Sequence, residues 1–128
     1  MKVLLDTHAF LWMVTADKRL SPKASKVLTN GSNELLISAA TAWEIMLKRG
    51  AGKLKLAGGP TAFLEEQLAK NDIRVIPVEL AHVFRIEDLR AIHQDPFDRL
   101  LVAQAIEEDV PILTADAAIQ QYPVKTIW

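Results

Sequence analysis

The sequence predicts an α/β fold of three layers, with helices on both faces of a mainly parallel central sheet, forming a single domain over residues 1–128. Short apolar runs of strand length recur along the chain, and each is followed by a segment with helical spacing. That alternation is the pattern of parallel strands joined by crossover helices. The length admits one core of ordinary size and not two, so one site is expected.

Val3-Leu4-Leu5 is the first strand candidate; Asp6 ends it, and Phe10, Leu11 and Val14 then take helical spacing. Ser21-Pro22 offers a cap and a helix-compatible proline, predicting a helix from about Pro22 to Thr29 that stops at Asn30-Gly31. Leu35-Leu36-Ile37 is the second strand. Ser38 can cap a helix from Ala39 to Arg49, which carries cations in its last turn and Gly50 just beyond. After Gly58-Gly59-Pro60, a helix from about Thr61 to Lys70 leads into a third strand, Ile73 to Ile76, and a helix from about Glu79 to Asp88 follows. Asp95-Pro96 reads as a cap and first-turn proline, and Phe97, Leu100, Leu101, Ala103, Ala105 and Ile106 give the next helix its apolar stripe. Pro111 to Thr114 and Val124 to Ile127 are the last two strands.

Half of the residues are hydrophobic and 24% are charged, the balance of a folded globular chain, which excludes a disordered one. With no cysteine there is neither a disulfide framework nor a thiolate metal site, so any metal must be held by oxygen or imidazole. A formal net charge of −1 supplies no global field for a polyanion. Lys48, Arg49, Lys53 and Lys55 do cluster, but a solvated helix end followed by a glycine-rich loop explains them. The start, interrupted by Asp6 and His8, is wrong for a secretory signal, and no apolar run approaches the roughly 20 residues that span a bilayer. A cytoplasmic protein with no membrane association is expected.

In parallel sheets, ligands bind beyond the carboxyl ends of the strands. Asp6 directly follows the first strand and Asp116 closely follows the fourth, so both should project at one sheet edge. Each also has a plain alternative as a helix cap. Glu44 sits among Ala40, Ala42, Trp43, Ile45, Met46 and Leu47, poor company for a charge, although Lys48 four residues on offers an ion pair. Asp98 occupies a first helical turn, where the macrodipole favours an acid. Asp95 is read first as a cap. If Asp6, Glu44, Asp98 and Asp116 meet, their repulsion calls for a cation. All-oxygen ligands suit Mg²⁺ or Mn²⁺, which keep water and accept phosphate oxygens. Such a site would hydrolyse a phosphodiester by in-line attack of activated water. Thr7 and Thr114 place hydroxyls beside the first and last acids, and Arg99 beside Asp98 is a supporting candidate for phosphate or carboxylate.

Four segments, VLLDTHAFLW, SAATAWEIMLKRGAGKL, HQDPFDRLLVAQA and ILTAD, occur in an order that resembles the PIN-domain ribonucleases, specifically the VapC-type toxins of toxin–antitoxin pairs. The resemblance implies a PIN-like α/β/α domain and places the family's acidic quartet on Asp6, Glu44, Asp98 and Asp116, none of them substituted. It implies Mg²⁺- or Mn²⁺-dependent endonucleolytic cleavage of RNA, leaving 5′-phosphate and 3′-hydroxyl ends. It also implies a homodimer, and inhibition by a cognate antitoxin whose C-terminal segment covers the active site.

Other readings compete. A metal-free ribonuclease would need a histidine pair, for which His8, His82 and His93 are available, although ordinary structural or surface roles suffice for them. A phosphatase using Asp6 as nucleophile would want an aspartate where His8 stands. A non-catalytic RNA- or protein-binding module would use the same groove, with Trp12 and Trp43 as stacking or anchoring residues, although aromatics at helical spacing in apolar runs are more often core.

Overall fold

The computed structural model describes residues 1–50 and 58–128, so Lys53 and Lys55 of the basic cluster lie outside the described residues. The elements run β1 (Lys2–Leu5), α1 (Thr7–Val14), α2 (Pro22–Thr29), β2 (Glu34–Ser38), α3 (Ala39–Gly50), α4 (Pro60–Lys70), β3 (Ile73–Ile76), α5 (Leu80–Arg85), α6 (Pro96–Glu108), β4 (Ile112–Leu113) and β5 (Thr126–Ile127). The five strands form one sheet in the order β3-β2-β1-β4-β5, and every pairing is parallel. The three-layer α/β/α expectation is borne out.

Strand alternation sorts the apolar side chains into two cores. Val3, Leu5, Leu35 and Ile37 point to one face, where they pack with Phe10 of α1, Ala24 of α2, Ile45 of α3 and Leu64 of α4. Leu4, Leu36 and Ile112 point to the other, against Leu101, Val102 and Ala105 of α6. Leu4 and Leu5 are fully buried on opposite faces of the same strand. Truncating either to alanine costs about 2–5 kcal/mol by the usual scale of core cavities.

Several ends differ from the sequence expectation, each for a local reason. The helix expected to run to Asp88 is α-helical only to Arg85 and tightens into a 3₁₀ turn over Ile86–Asp88, a common way for a last turn to close. Its start is tied by the Glu79 amide, which donates to His82 Nδ1 at 3.0 Å. The fourth strand is Ile112–Leu113 rather than Pro111 to Thr114, yet both flanking residues still share in the ladder: Leu4 N donates to the Pro111 carbonyl and Thr114 N to that of Ile127. The fifth is Thr126–Ile127 rather than Val124 to Ile127, and α3 reaches Gly50. Trp43 is 59% exposed because α3 buries the face carrying Ala40, Thr41, Glu44 and Ile45, which points elsewhere. The expectation of a core Trp43 is therefore corrected.

Strand order reverses at β1, whose neighbours are β2 on one side and β4 on the other. A crevice outside the carboxyl ends of β1 and β4 is the consequence of such a switch point. Asp6 and Asp116 emerge there.

Candidate active site

Asp6 leaves β1 in extended conformation and caps α1, its Oδ1 accepting from Ala9 N at 2.7 Å. The Thr114 hydroxyl, at the end of β4, donates to Asp6 Oδ2 at 2.5 Å. The same Thr114 Oγ1 accepts from Asp116 N at 3.0 Å. One hydroxyl therefore ties the two strand ends together and sets the distance between the acids that follow them. Asp116 is fixed in turn by Ala118 N at 2.7 Å and Ile119 N at 3.3 Å, both donating to Oδ1. The cap alternatives weighed from the sequence are thus real for Asp6 and Asp116, and they hold alongside the shared edge.

Glu44 is only 7% exposed. A charge buried this far requires partners, and it has two: the Thr7 hydroxyl donates to Oε1 at 2.6 Å, and Lys48 Nζ lies 2.9 Å from Oε2. Thr7 is the first residue of α1, so its hydroxyl links Glu44 of α3 to the turn that carries Asp6. Thr41, one turn before Glu44, stands 3.4 Å from the same hydroxyl. Helical spacing puts Thr41, Glu44 and Ile45 on one face; the sequence leaves Thr41 unremarkable, and only its approach to Thr7 draws it in.

Asp98 sits in the first turn of α6, and Asp95 is the cap, accepting from Asp98 N at 2.9 Å. His93 Nε2 lies 3.3 Å from Asp98 Oδ2, while its Nδ1 is 2.7 Å from Tyr122 Oη. Arg99 does not turn to the acids: its Nη1 donates to the Arg90 and His93 carbonyls and to Tyr122 Oη. Arg99, Tyr122 and His93 thereby form a chain that ends on Asp98. No periodicity in the sequence links His93 or Tyr122 to an acid, because one lies in a loop and the other after a 3₁₀ turn. His82 is buried beside Gln104, with its Nε2 3.9 Å from Glu108, away from this network.

The charges expose the clustering. Burial pushes the Asp98 carboxyl up to about 6; the neighbouring Asp95 adds to this, His93 opposes it, and Asp116 and Glu44 raise it further. Burial likewise raises Asp6, against the hydrogen bonds from Thr114 and Ala9 and the nearby His8, with Asp116 raising it further. Asp98 therefore feels Asp116 and Glu44, and Asp6 feels Asp116. Asp6 and Asp116 also line one cavity of about 210 Å³.

Among the described residues, no three His, Asp or Glu side chains stand together as a ready cage for an ion. The donor set still fits a small hard cation, since carboxylate oxygens suit Mg²⁺ and Mn²⁺, which fill the positions the protein leaves with water and phosphate oxygens. A cation would also offset the like-charge repulsion that adds to the effect of burial on Asp6 and Asp98.

A sequence profile described as the PIN domain matches residues 3–125. Over 98% of both chains this protein is 29% identical to ribonuclease VapC22 of Mycobacterium tuberculosis. Its fold is similar to that in VapBC2 of Rickettsia felis bound to promoter DNA, with a TM-score of 0.72, 17% identity and coverage of 99% of this chain and 98% of that one. VapBC-1 of nontypeable Haemophilus influenzae is similar at a TM-score of 0.64 and 15% identity, over 99% and 97% of the two chains. With the profile spanning nearly every element, from β1 to the approach to β5, the chain belongs to the PIN-domain family.

Proposed function

We propose that this protein is a metal-dependent endoribonuclease and the toxin of a VapC-type toxin–antitoxin pair, with Asp6, Glu44, Asp98 and Asp116 as its catalytic and metal-binding acids. The observation that carries the reading is that Asp6 and Asp116 share the Thr114 hydroxyl and one cavity at the crevice beyond β1 and β4, while the charges of Asp116 and Glu44 act on Asp98. Acids that destabilise one another in a crevice are the mark of a site built for something other than stability. The likeness to ribonuclease VapC22 supplies the reaction class.

Asp6, Asp98 and Asp116 would hold Mg²⁺ or Mn²⁺ with Glu44 beside them, and the ion would supply charge stabilisation at the phosphate and lower the pKa of water. The chain's own residues do the positioning. Thr114 fixes Asp6 and Asp116 relative to each other, and Thr7 holds Glu44. Lys48 offsets the Glu44 charge when no cation is bound. His93, braced by Tyr122, orients Asp98. Arg99 supports that brace.

Two partners belong to the proposal. A cognate antitoxin is supported by the VapBC complexes of like fold. A homodimer is supported by the edge strand β3 and the helix after it, where Val75, Val78, Leu80, Val83 and Phe84 stay exposed along consecutive elements. Exposed apolar runs of this kind mark association surfaces. Among the described residues no helix is long and apolar enough to cross a membrane, and a cytoplasmic location is part of the same reading.

The test is to incubate purified protein, freed of antitoxin, with total cellular RNA, with and without Mg²⁺ or Mn²⁺, beside an Asp6→Asn control. Metal-dependent cleavage by the wild type alone is expected. Equal cleavage by both proteins would refute the mechanism, and cleavage that survives chelation would favour histidines, of which His8 and His93 flank the acids. RNA binding without cleavage under any metal condition would favour a non-catalytic binding module.

A further inference from the structure

The cavity lined by Asp6 and Asp116 has another wall, made of His8, Trp12 and Arg19, that the acids do not explain. Trp12 is half-buried, with its ring 5.6 Å from that of Trp128 in an edge-on arrangement. The Arg19 guanidinium lies over the Trp12 ring, 4.7 Å from its centroid. The exposed His8 ring stands 5.7 Å from Trp12, tilted by 40°. Asp17 grips Arg19 with both carboxylate oxygens, Nε to Oδ1 at 3.0 Å and Nη2 to Oδ2 at 2.7 Å. That fork orients the guanidinium and offsets part of its charge. Arg19 is thereby less a phosphate anchor than a flat surface laid on an aromatic one.

Aromatic rings and guanidinium planes are the surfaces on which unpaired bases stack, and every base has a face to offer. A base seated here would leave its neighbouring phosphate at Asp6 and Asp116, which line the same cavity. An apolar side chain of a protein partner would gain less from a wall that mixes a guanidinium with two carboxylates. We propose that His8, Trp12 and Arg19 form a stacking subsite for a base of single-stranded RNA, next to the phosphate presented to Asp6 and Asp116. The inference rests on the ribonuclease reading and adds to it which side chains receive a base beside the phosphate at Asp6 and Asp116.

The experiment measures binding by fluorescence anisotropy in an Asp98→Asn background, which leaves the RNA uncut. The probes are labelled decauridylate and an abasic ribose-phosphate decamer of equal charge. Trp12→Leu is expected to weaken decauridylate binding roughly 5- to 150-fold, the range for loss of one stacked base, and to leave the abasic probe unchanged. Trp12→Phe should restore most of the loss. Arg19→Ala, on a side chain that is 67% exposed, should weaken decauridylate binding more than binding of the abasic probe and carries the test if Trp12→Leu does not fold. Equal losses on the two probes, or no loss on decauridylate, would overturn the subsite and leave the wall to a protein partner. If the protein with all its acids intact cuts RNA while these variants bind normally, the subsite alone falls. If it neither binds nor cuts RNA, both readings fall.

Discussion

Replacing Asp98 with asparagine is expected to stabilise the metal-free protein at neutral pH while removing its activity. In the folded chain the Asp98 carboxyl keeps its proton up to about pH 6, whereas its ordinary value is 3.8. The folded state thus binds this proton more tightly than the unfolded state, and native stability falls as pH rises between those values. The penalty is absent well below the ordinary value and fully present above about pH 6. At full ionisation it amounts to at most ~3 kcal/mol, and at pH 4 to only a small part of that, from ~1.4 kcal/mol for each pH unit separating the two values. The side chain is 22% exposed, so solvent screens it only in part. Asparagine cannot ionise and should recover between ~1 and ~3 kcal/mol at pH 7.5, the lower figure allowing for solvent screening and for a weaker contact with His93 Nε2. Urea denaturation of both proteins in a chelator, at pH 7.5 and pH 4, measures this directly. Mg²⁺ added in large excess should then stabilise the wild type, by about 2.7 kcal/mol at a hundred times its Kd, and stabilise the variant much less. An asparagine variant no more stable than wild type at pH 7.5, or one with the same advantage at both pH values, would refute the reasoning.

Three further outcomes are expected. Thr114→Val removes the hydroxyl that Asp6 Oδ2 and Asp116 N share, and should cost about 1–3 kcal/mol of stability in urea melts, as loss of a buried hydrogen-bond partner does, together with a fall in RNA cleavage. Asp95→Ser keeps a cap for α6 but removes the charge that raises Asp98; stability at pH 7.5 should hold or rise, and the Asp98 titration followed by carboxyl NMR should move down. If the proposed homodimer forms through this face, Phe84→Asp, at a side chain 64% exposed, should leave the thermal melt within about 0.5 kcal/mol of wild type while light scattering reports a monomer for the variant and a dimer for wild type.

The fold was largely legible because its signals are local. Val3-Leu4-Leu5 and Leu35-Leu36-Ile37 bury both faces of their strands and so read as unbroken apolar runs. Ser21, Ser38 and Asp95 make the cap contacts that their positions predict. What was hidden depends on distance in the chain. Thr114 and Asp6 meet across 108 residues, and His93 reaches Tyr122 across 29. Such contacts follow from strand order, which the alternation of strands and helices does not specify. Trp43 misled because its neighbours in sequence are apolar, whereas its exposure is set by the rotation of α3 that buries Glu44. A buried acid on a helix and an exposed tryptophan beside it are two results of one orientation.

That orientation also bears on whether the acids are caps or catalysts, the choice that the sequence left open. Asp6 places Oδ1 on the first turn of α1 and Oδ2 on Thr114. Asp116 commits Oδ1 to two amides of the turn that follows it. Glu44 uses one oxygen on Thr7 and the other on Lys48. Every carboxylate oxygen has a second lone pair, so a cap bond fixes a carboxylate without exhausting it. A helix N-terminus also favours a negative charge, which helps to keep an acid ionised where burial and like charges oppose ionisation. Capping is thus a way to hold an acid rigid and charged at a sheet edge, as a cation site requires. The Lys48 bond is the exception, because it is an ion pair that a bound cation would compete with. If the proposed site is right, Lys48→Met should raise Mg²⁺ affinity in a metal titration, and leave Glu44 without its neutralising partner when no metal is present. A Mg²⁺ affinity that falls or stays unchanged in this variant would mean that Glu44 does not share the field of the ion.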